Sequence, residues 1–288
     1  MGVQRTFFTG SEWLYYKIYC GARTADHILV ETIQPLTERF VKNHWIDRWF
    51  FIRYEDTDHH LRVRFHCQDT KHIGSIIKAA HEALAPLIDQ DRIHKIQTDT
   101  YVRELERYGI RTIEIAEELF FYESELLLQA IDRIEDENLY FLFVVKVIDS
   151  ILEDFHYSLS EKLALAKANR DAFKKEFNAD KKLTKQLHEK YKTHQNTLSQ
   201  IMELTPDTEF GELHDMLEKK RGQSLIAVQT ILGKHQHKTL EVPLSSLLSS
   251  YIHMLVNRAF RSQQRFYELV SYDFLSKYYT TQYYRNSK

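Results

Sequence analysis

The sequence predicts an α+β protein: an antiparallel split-βαβ (ferredoxin-like) sheet first, then a mostly helical C-terminal part. Three observations carry this expectation. Runs rich in aromatic and branched residues, alternating with helical periodicity, follow the order strand, helix, strand, strand, helix, strand over the first hundred or so residues. Only 8 Gly and 4 Pro in 288 residues favour long regular elements over elaborate loops. After Gly109 the pattern is helical with few breakers. The change of character divides the chain into residues 1–110 and 111–288, expected to pack as one compact unit.

Trp13-Leu14-Tyr15-Tyr16-Lys17-Ile18-Tyr19-Cys20 is a strand by composition. Thr24 is placed to cap a helix on which Ile28, Leu29, Ile33, Leu36, Phe40 and Val41 recur at helical spacing. Trp49 to Tyr54 and His60 to Phe65, separated by Glu55-Asp56-Thr57-Asp58-His59, read as a hairpin. Strand alternation then puts Arg62 and Arg64 on one face and Leu61, Val63 and Phe65 on the other. A second helix spans about residues 73–88 on Ile76, Ile77, Ala80, Leu84 and Leu87, and Arg92 to Tyr101 is the fourth strand. Because the first and third strands are neighbours in this topology, Cys20 and Cys67 are expected fairly close, as packed and unpaired thiols. Further on, Phe120, Phe121, Leu126, Leu127 and Ile131, then residues 141–151, form apolar stripes that read as core, with Thr205-Pro206-Asp207 and Pro243 as punctuation.

Composition narrows the function classes. With 43% hydrophobic and 28% charged residues and a net charge of -2, nothing drives the chain as a whole toward nucleic acid or anionic membrane. Anion binding has to be a local patch. Two cysteines imply no disulfide framework and suit a cytoplasmic protein. The longest apolar run, Leu139 to Val145, falls well short of the ~20 residues of a membrane span. From Glu161 to Gln195 basic residues outnumber acidic ones about two to one, which is read as a solvated helix face.

Three segments are dense in usable chemistry. Adjacent guanidiniums at Arg62 and Arg64 repel each other unless an anion lies across them, and a carboxylate or phosphate fits that role. Pairing with Asp or Glu on a covering element is the structural alternative. In Tyr101-Val102-Arg103-Glu104-Leu105-Glu106-Arg107-Tyr108-Gly109, Glu104 and Arg107 stand three apart and share a face in a first helical turn. In Tyr251 to Phe260, His253 and Asn257 lie four apart on one face of an otherwise apolar helix. No metal set emerges, since His235 and His237 lack further ligands at useful spacing and His59-His60 is only a turn pair. Glycine-rich phosphate loops, nucleophile elbows and dinucleotide fingerprints are absent. The residues by themselves reach an anion pocket with a nearby histidine.

Arg48-Trp49-Phe50-Phe51-Ile52-Arg53-Tyr54 with His60-Leu61-Arg62-Val63-Arg64-Phe65, then Glu104-Leu105-Glu106-Arg107-Tyr108-Gly109, then His253-Met254-Leu255-Val256-Asn257-Arg258 together resemble the C-terminal domain of class I lantibiotic dehydratases. That family also holds stand-alone thiopeptide-type bacteriocin biosynthesis proteins. The resemblance runs from about Glu12 to Leu275. It implies a lyase that needs no cofactor and acts on a ribosomally made precursor peptide whose Ser or Thr has been esterified with glutamate from glutamyl-tRNA. Loss of the Cα proton and of glutamate leaves dehydroalanine or dehydrobutyrine. Carried over by motif, Arg62, Arg64, Glu104, Arg107 and His253 are the catalytic set, and Arg53, Tyr101, Arg103, Asn257 and Arg258 bind substrate. His253 serves as base or acid, while Glu104 orients Arg107 or is itself the base. The first strand lies close to Met1, so a stand-alone enzyme working with a separate glutamylating protein is expected, with a homodimer as a compatible assembly. The rival activity within the family is a [4+2] cycloaddition that builds a pyridine from dehydroalanines. A third reading, of another class, is a non-catalytic module that binds leader peptide along an exposed sheet edge.

Overall fold

Strand pairing imposed by the aromatic runs builds the N-terminal half. The computed structural model describes residues 2–286; Met1, Ser287 and Lys288, at the limits of the two expected parts, lie outside the described residues. A short strand β1 (Thr6–Phe7) precedes β2 (Trp13–Tyr19). The chain then coils through α1 (Thr24–Ile28), a π-helical stretch (Leu29–Ile33) and α2 (Gln34–Lys42). The hairpin β3 (Arg48–Glu55) and β4 (His59–His66) leads by one tight turn to α3 (Ile73–Asp89), then to β5 (Lys95–Thr98) and β6 (Tyr101–Val102). Strands β2 to β5 pair antiparallel in the order β3-β4-β2-β5, which is the split-βαβ arrangement.

One face of this sheet is apolar. Phe65 meets Tyr16 and Phe40 edge-on there, and Leu61 and Val63 are buried beside it. The register puts Tyr15 and Phe50 across from Arg64, and Lys17 and Ile52 across from Arg62, on the opposite face.

The rest is helical: α4 (Leu105–Tyr108), α5 (Ile113–Arg133), α6 (Glu137–Asp154), α7 (Leu159–Glu176), α8 (Lys181–Met202), α9 (Gly211–Gln236), α10 (Leu244–Ala259) and α11 (Gln264–Asn286). Asp136, Ser158 and Asp180 accept hydrogen bonds from first-turn amides of α6, α7 and α8 and so fix where these helices begin. Every residue from Phe141 to Leu152 is buried, which makes α6 the central helix. Helix α5 docks on the edge strand β3, where Trp49 Nε1 donates to Glu125 (3.0 Å) and Phe50 packs on Phe120. Tyr251 of α10 in turn packs edge-on against Phe120. This docking carries the α10 motif up to the sheet. No helix among the described residues is long and apolar enough to cross a membrane.

Four expectations change. The fourth strand is two pieces: Asp99 N bonds to Tyr15 O, Thr100 N turns back onto Asp99 Oδ1, and Arg103 N pairs with Arg5 O. The chain thereby leaves the sheet after Thr98, and β6 forms a separate ribbon with β1, a strand too short to leave a periodic signal. Thr24 is the first residue of α1 and not its cap; Arg23 precedes it without a side-chain cap bond. Ile77 is exposed despite its helical phase. Cys20 and Cys67 are buried and unpaired, but they sit at opposite ends of the β2–β4 ladder. Cys67 stands beside Glu12, eight residues along the strand from Cys20, which separates the two by roughly 25 Å. Burial pushes the Cys20 thiol up to about 11 and the Cys67 thiol to about 12.

Candidate active site

Strand alternation delivers Arg64 to the sheet's polar face, and three rings enclose it there. Its Cζ lies 4.5 Å from the Tyr15 ring centre, 5.0 Å from Phe50 and 4.7 Å from Tyr101. The residue is only 7% exposed, and its Nε and Nη1 are buried without a hydrogen-bond partner. Among the described residues no carboxylate comes within ion-pair distance of it. Burial pulls its pKa below the ordinary arginine value, while the Tyr101 and Tyr15 rings and, more distantly, Glu104 support the charge. Aromatic faces offset part of the cost of desolvating a guanidinium, yet buried donors without acceptors remain unfavourable. Two of its donors are thus left without an acceptor inside the protein.

Arg62, across the strand from Lys17, is half-buried, with its Cζ 3.4 Å from the Tyr54 ring centre and its Nε donating to His60 Nε2 at 3.2 Å. Lys17 pairs with Asp99 at 2.5 Å. Arg64 therefore shares a cationic sheet face with Arg62 and Lys17. Tyr101 serves it through its ring, because its hydroxyl donates to Glu117 Oε1 at 2.8 Å.

Glu104 and Arg107 form the expected i,i+3 pair, Nε to Oε2 3.2 Å, at half-exposed positions of the α4 turn. Gly109 ends that turn at φ 78° and ψ 149°, a region open essentially to glycine alone. A Cβ there would stand 2.8 Å from Glu241 Oε2 and 2.9 Å from Thr112 Oγ1, and Glu241 also accepts from Arg111 N at 3.0 Å. The short helix bearing Arg107 is thus pinned from the loop before α10.

Arg107 and His253 line one open cavity of about 270 Å³, together with Glu176 of α7 and Arg265 and Glu268 of α11. His253 Nδ1 is 3.1 Å from both carboxylate oxygens of Glu268. Arg265 Nη1 donates to Glu268 at 3.2 Å, and its other arm meets Glu176 at 2.5 Å. Another cavity, about 350 Å³, opens beside Asp26, Tyr140 and Phe260, and none of the expected site residues lines it.

Three expected substrate-binding arginines are placed elsewhere. Arg103 gives Nε and Nη2 to the two oxygens of Glu117 (2.7 and 2.6 Å) and Nη1 to Gln4 O (3.0 Å). Arg258, wholly buried, pairs through Nη2 with Glu123 and bonds Phe120 O at 2.6 Å and Met254 O at 2.9 Å. Arg53 pairs with Asp26 at 2.6 Å and donates to Arg258 O at 2.8 Å. Arg103 and Arg258 are committed to protein acceptors, whereas Arg53, which ties the sheet to α1 and α10, leaves Nη1 buried without a partner. Asn257 lies one turn from His253 with its Oδ1 buried and unpartnered.

The sequence reading missed Tyr15, Glu176, Arg265 and Glu268 as members of the site. Tyr15 was recoverable only from strand register. The other three reach His253 from α7 and α11, with no local pattern to announce them. Among the described residues no cluster of three His, Cys, Asp or Glu is arranged to hold a metal ion.

The family model for lantibiotic biosynthesis dehydratase C-term matches residues 13–279 of this chain. Subtilin biosynthesis protein SpaB of Bacillus subtilis is 26% identical over 189 residues, which is 63% of this chain and 18% of SpaB. In structure, the tRNA dependent lantibiotic dehydratase MibB from Microbispora sp. 107891 matches with TM-score 0.72 and 20% identity, over 98% of this chain and 29% of MibB. The pyridine synthase TbtD from thiomuracin biosynthesis matches with TM-score 0.66 and 11% identity, over 94% of this chain and 100% of TbtD. The chain thus spans under a third of SpaB and of MibB, and the two structural matches establish a common fold.

Proposed function

The chain belongs to the lantibiotic dehydratase C-terminal family, and on that premise we propose that it is a lyase eliminating glutamate from glutamylated Ser or Thr of a precursor peptide. The product is dehydroalanine or dehydrobutyrine. The observation that carries this reading is Arg64, a buried guanidinium with two unpartnered nitrogens. Elimination supplies what that group lacks, since it releases a carboxylate. MibB is a tRNA dependent lantibiotic dehydratase, which is in keeping with a glutamyl ester supplied by a separate tRNA-dependent activity.

The step divides among the residues as follows. His253 Nε2 accepts the Cα proton, its Nδ1 being committed to Glu268. The freed electron pair spreads toward the neighbouring peptide carbonyl, where fixed cations stabilise it. Arg107, held by Glu104 on the wall of the same cavity, supplies positive charge there. The pair then closes the Cα=Cβ bond as the Cβ–O bond breaks, and the glutamate carboxylate departs with the bonding electrons toward Arg64 and Arg62. Glu104 orients Arg107; its place in that ion pair argues against its being the base.

Mass spectrometry of a glutamylated Ser/Thr peptide incubated with the purified protein tests the reading. The expected product is lighter than the unmodified peptide by one water. Persistence of the ester would reject elimination. The full-length match to TbtD favours one second reading, cycloaddition between dehydroalanines, and a dehydroalanine-containing peptide is its substrate. A peptide-binding module would retain the ester and bind equally well without Arg64.

A further inference from the structure

We infer that Glu268 is a positioning residue for His253: its carboxylate, steadied by Arg265, holds the imidazole with the proton on Nδ1 and Nε2 left for the cavity. The chemistry of this inference rests on the elimination reading, whereas the tautomer it assigns does not. Both Glu268 oxygens lie 3.1 Å from Nδ1, a symmetric arrangement in which the side chain is only 3% exposed. An ionised carboxylate can only accept, so the bonded nitrogen carries the hydrogen and the other carries the lone pair.

Arg265 in turn steadies the Glu268 carboxylate. Its Nη1 donates to Glu268 at 3.2 Å, and Nε and Nη2 are anchored on Glu176 at 3.2 and 2.5 Å. The charged and titratable groups around the imidazole are therefore Arg107 from α4, Glu176 from α7, and Arg265, Glu268 and Tyr272 from α11. Burial drives the Tyr272 hydroxyl far above its ordinary pKa, so it stays neutral. When Nε2 takes a proton, the imidazolium forms against a negative charge already in place.

The test is Glu268→Gln, with Glu268→Asp as the conservative variant, read by kcat and KM on a glutamylated peptide and by 15N NMR of the His253 ring. Gln keeps the volume and removes the charge. The expected result is a fall in kcat of roughly ten- to a hundredfold with KM little changed. Asp should recover part of the loss. An unchanged kcat in Glu268→Gln, or a wild-type ring protonated on Nε2 at neutral pH, would overturn the inference. If wild-type protein leaves the ester intact, the elimination reading fails, and the wild-type NMR tautomer still decides the place of Glu268.

Discussion

Arg64 and Arg258 are both buried arginines, and their surroundings are opposite. Arg258 faces a carboxylate and two carbonyls, so its donors are matched by acceptors inside the protein. Arg64 faces rings, and two of its nitrogens meet no acceptor. A buried charge that is fully paired adds to the frame of the fold, whereas one left open carries an uncompensated cost. Arg103, locked to Glu117, sides with Arg258; Arg53 pairs with Asp26 but leaves Nη1 buried without a partner, and stands between the two.

Removing the paired arginine should do the greater damage to the fold. Arg258→Met strands the Glu123 carboxylate in the core, at an expected cost of about 3–5 kcal/mol by urea denaturation. Burial already holds the Glu123 pKa above the usual carboxylate range. A carboxyl whose folded pKa is raised destabilises when ionised, so the variant's deficit should shrink as pH falls through that raised pKa. A loss under about 1 kcal/mol would place Arg258 outside the frame.

The open arginine should show the reverse. Arg64→Met is expected to leave stability unchanged or slightly higher, while turnover of the glutamylated peptide falls roughly 10²- to 10³-fold, the scale of a lost charge-stabilising donor. If this variant unfolds while turnover per folded molecule holds, Arg64 is structural and the contrast collapses.

The smallest expected effect lies at the hinge between the two regions. Gly109→Ala should lose about 1–3 kcal/mol from its backbone region and its approach to Glu241. Because Gly109 ends the helix that carries Arg107, turnover should fall modestly along with stability. Full activity in that variant would show that the α4 turn tolerates movement.

Much of the site could be read before folding was known. Residues 62 and 64 share a face by strand alternation, residues 104 and 107 by helical spacing, and residues 253 and 257 by one helical turn. Each relation depends on a few consecutive residues. What the sequence could not show has another origin. Arg103 and Arg258 lie in the same motifs as Arg107 and His253, but their partners sit 14 and 135 residues away, on α5. Glu268 reaches His253 from the next helix, 15 residues on. Nothing near these carboxylates marks what they will meet.

The sequence alone determined the α+β class, the strand order and the faces on which Arg62, Arg64 and His253 stand, because periodicity and pairing are set by local backbone geometry. Tertiary structure alone decided which arginines remain open, since satisfying a buried charge depends on which distant carboxylate is packed against it. It also decided that Cys20 and Cys67 lie at opposite ends of one ladder, since neighbouring strands settle adjacency while strand direction settles distance.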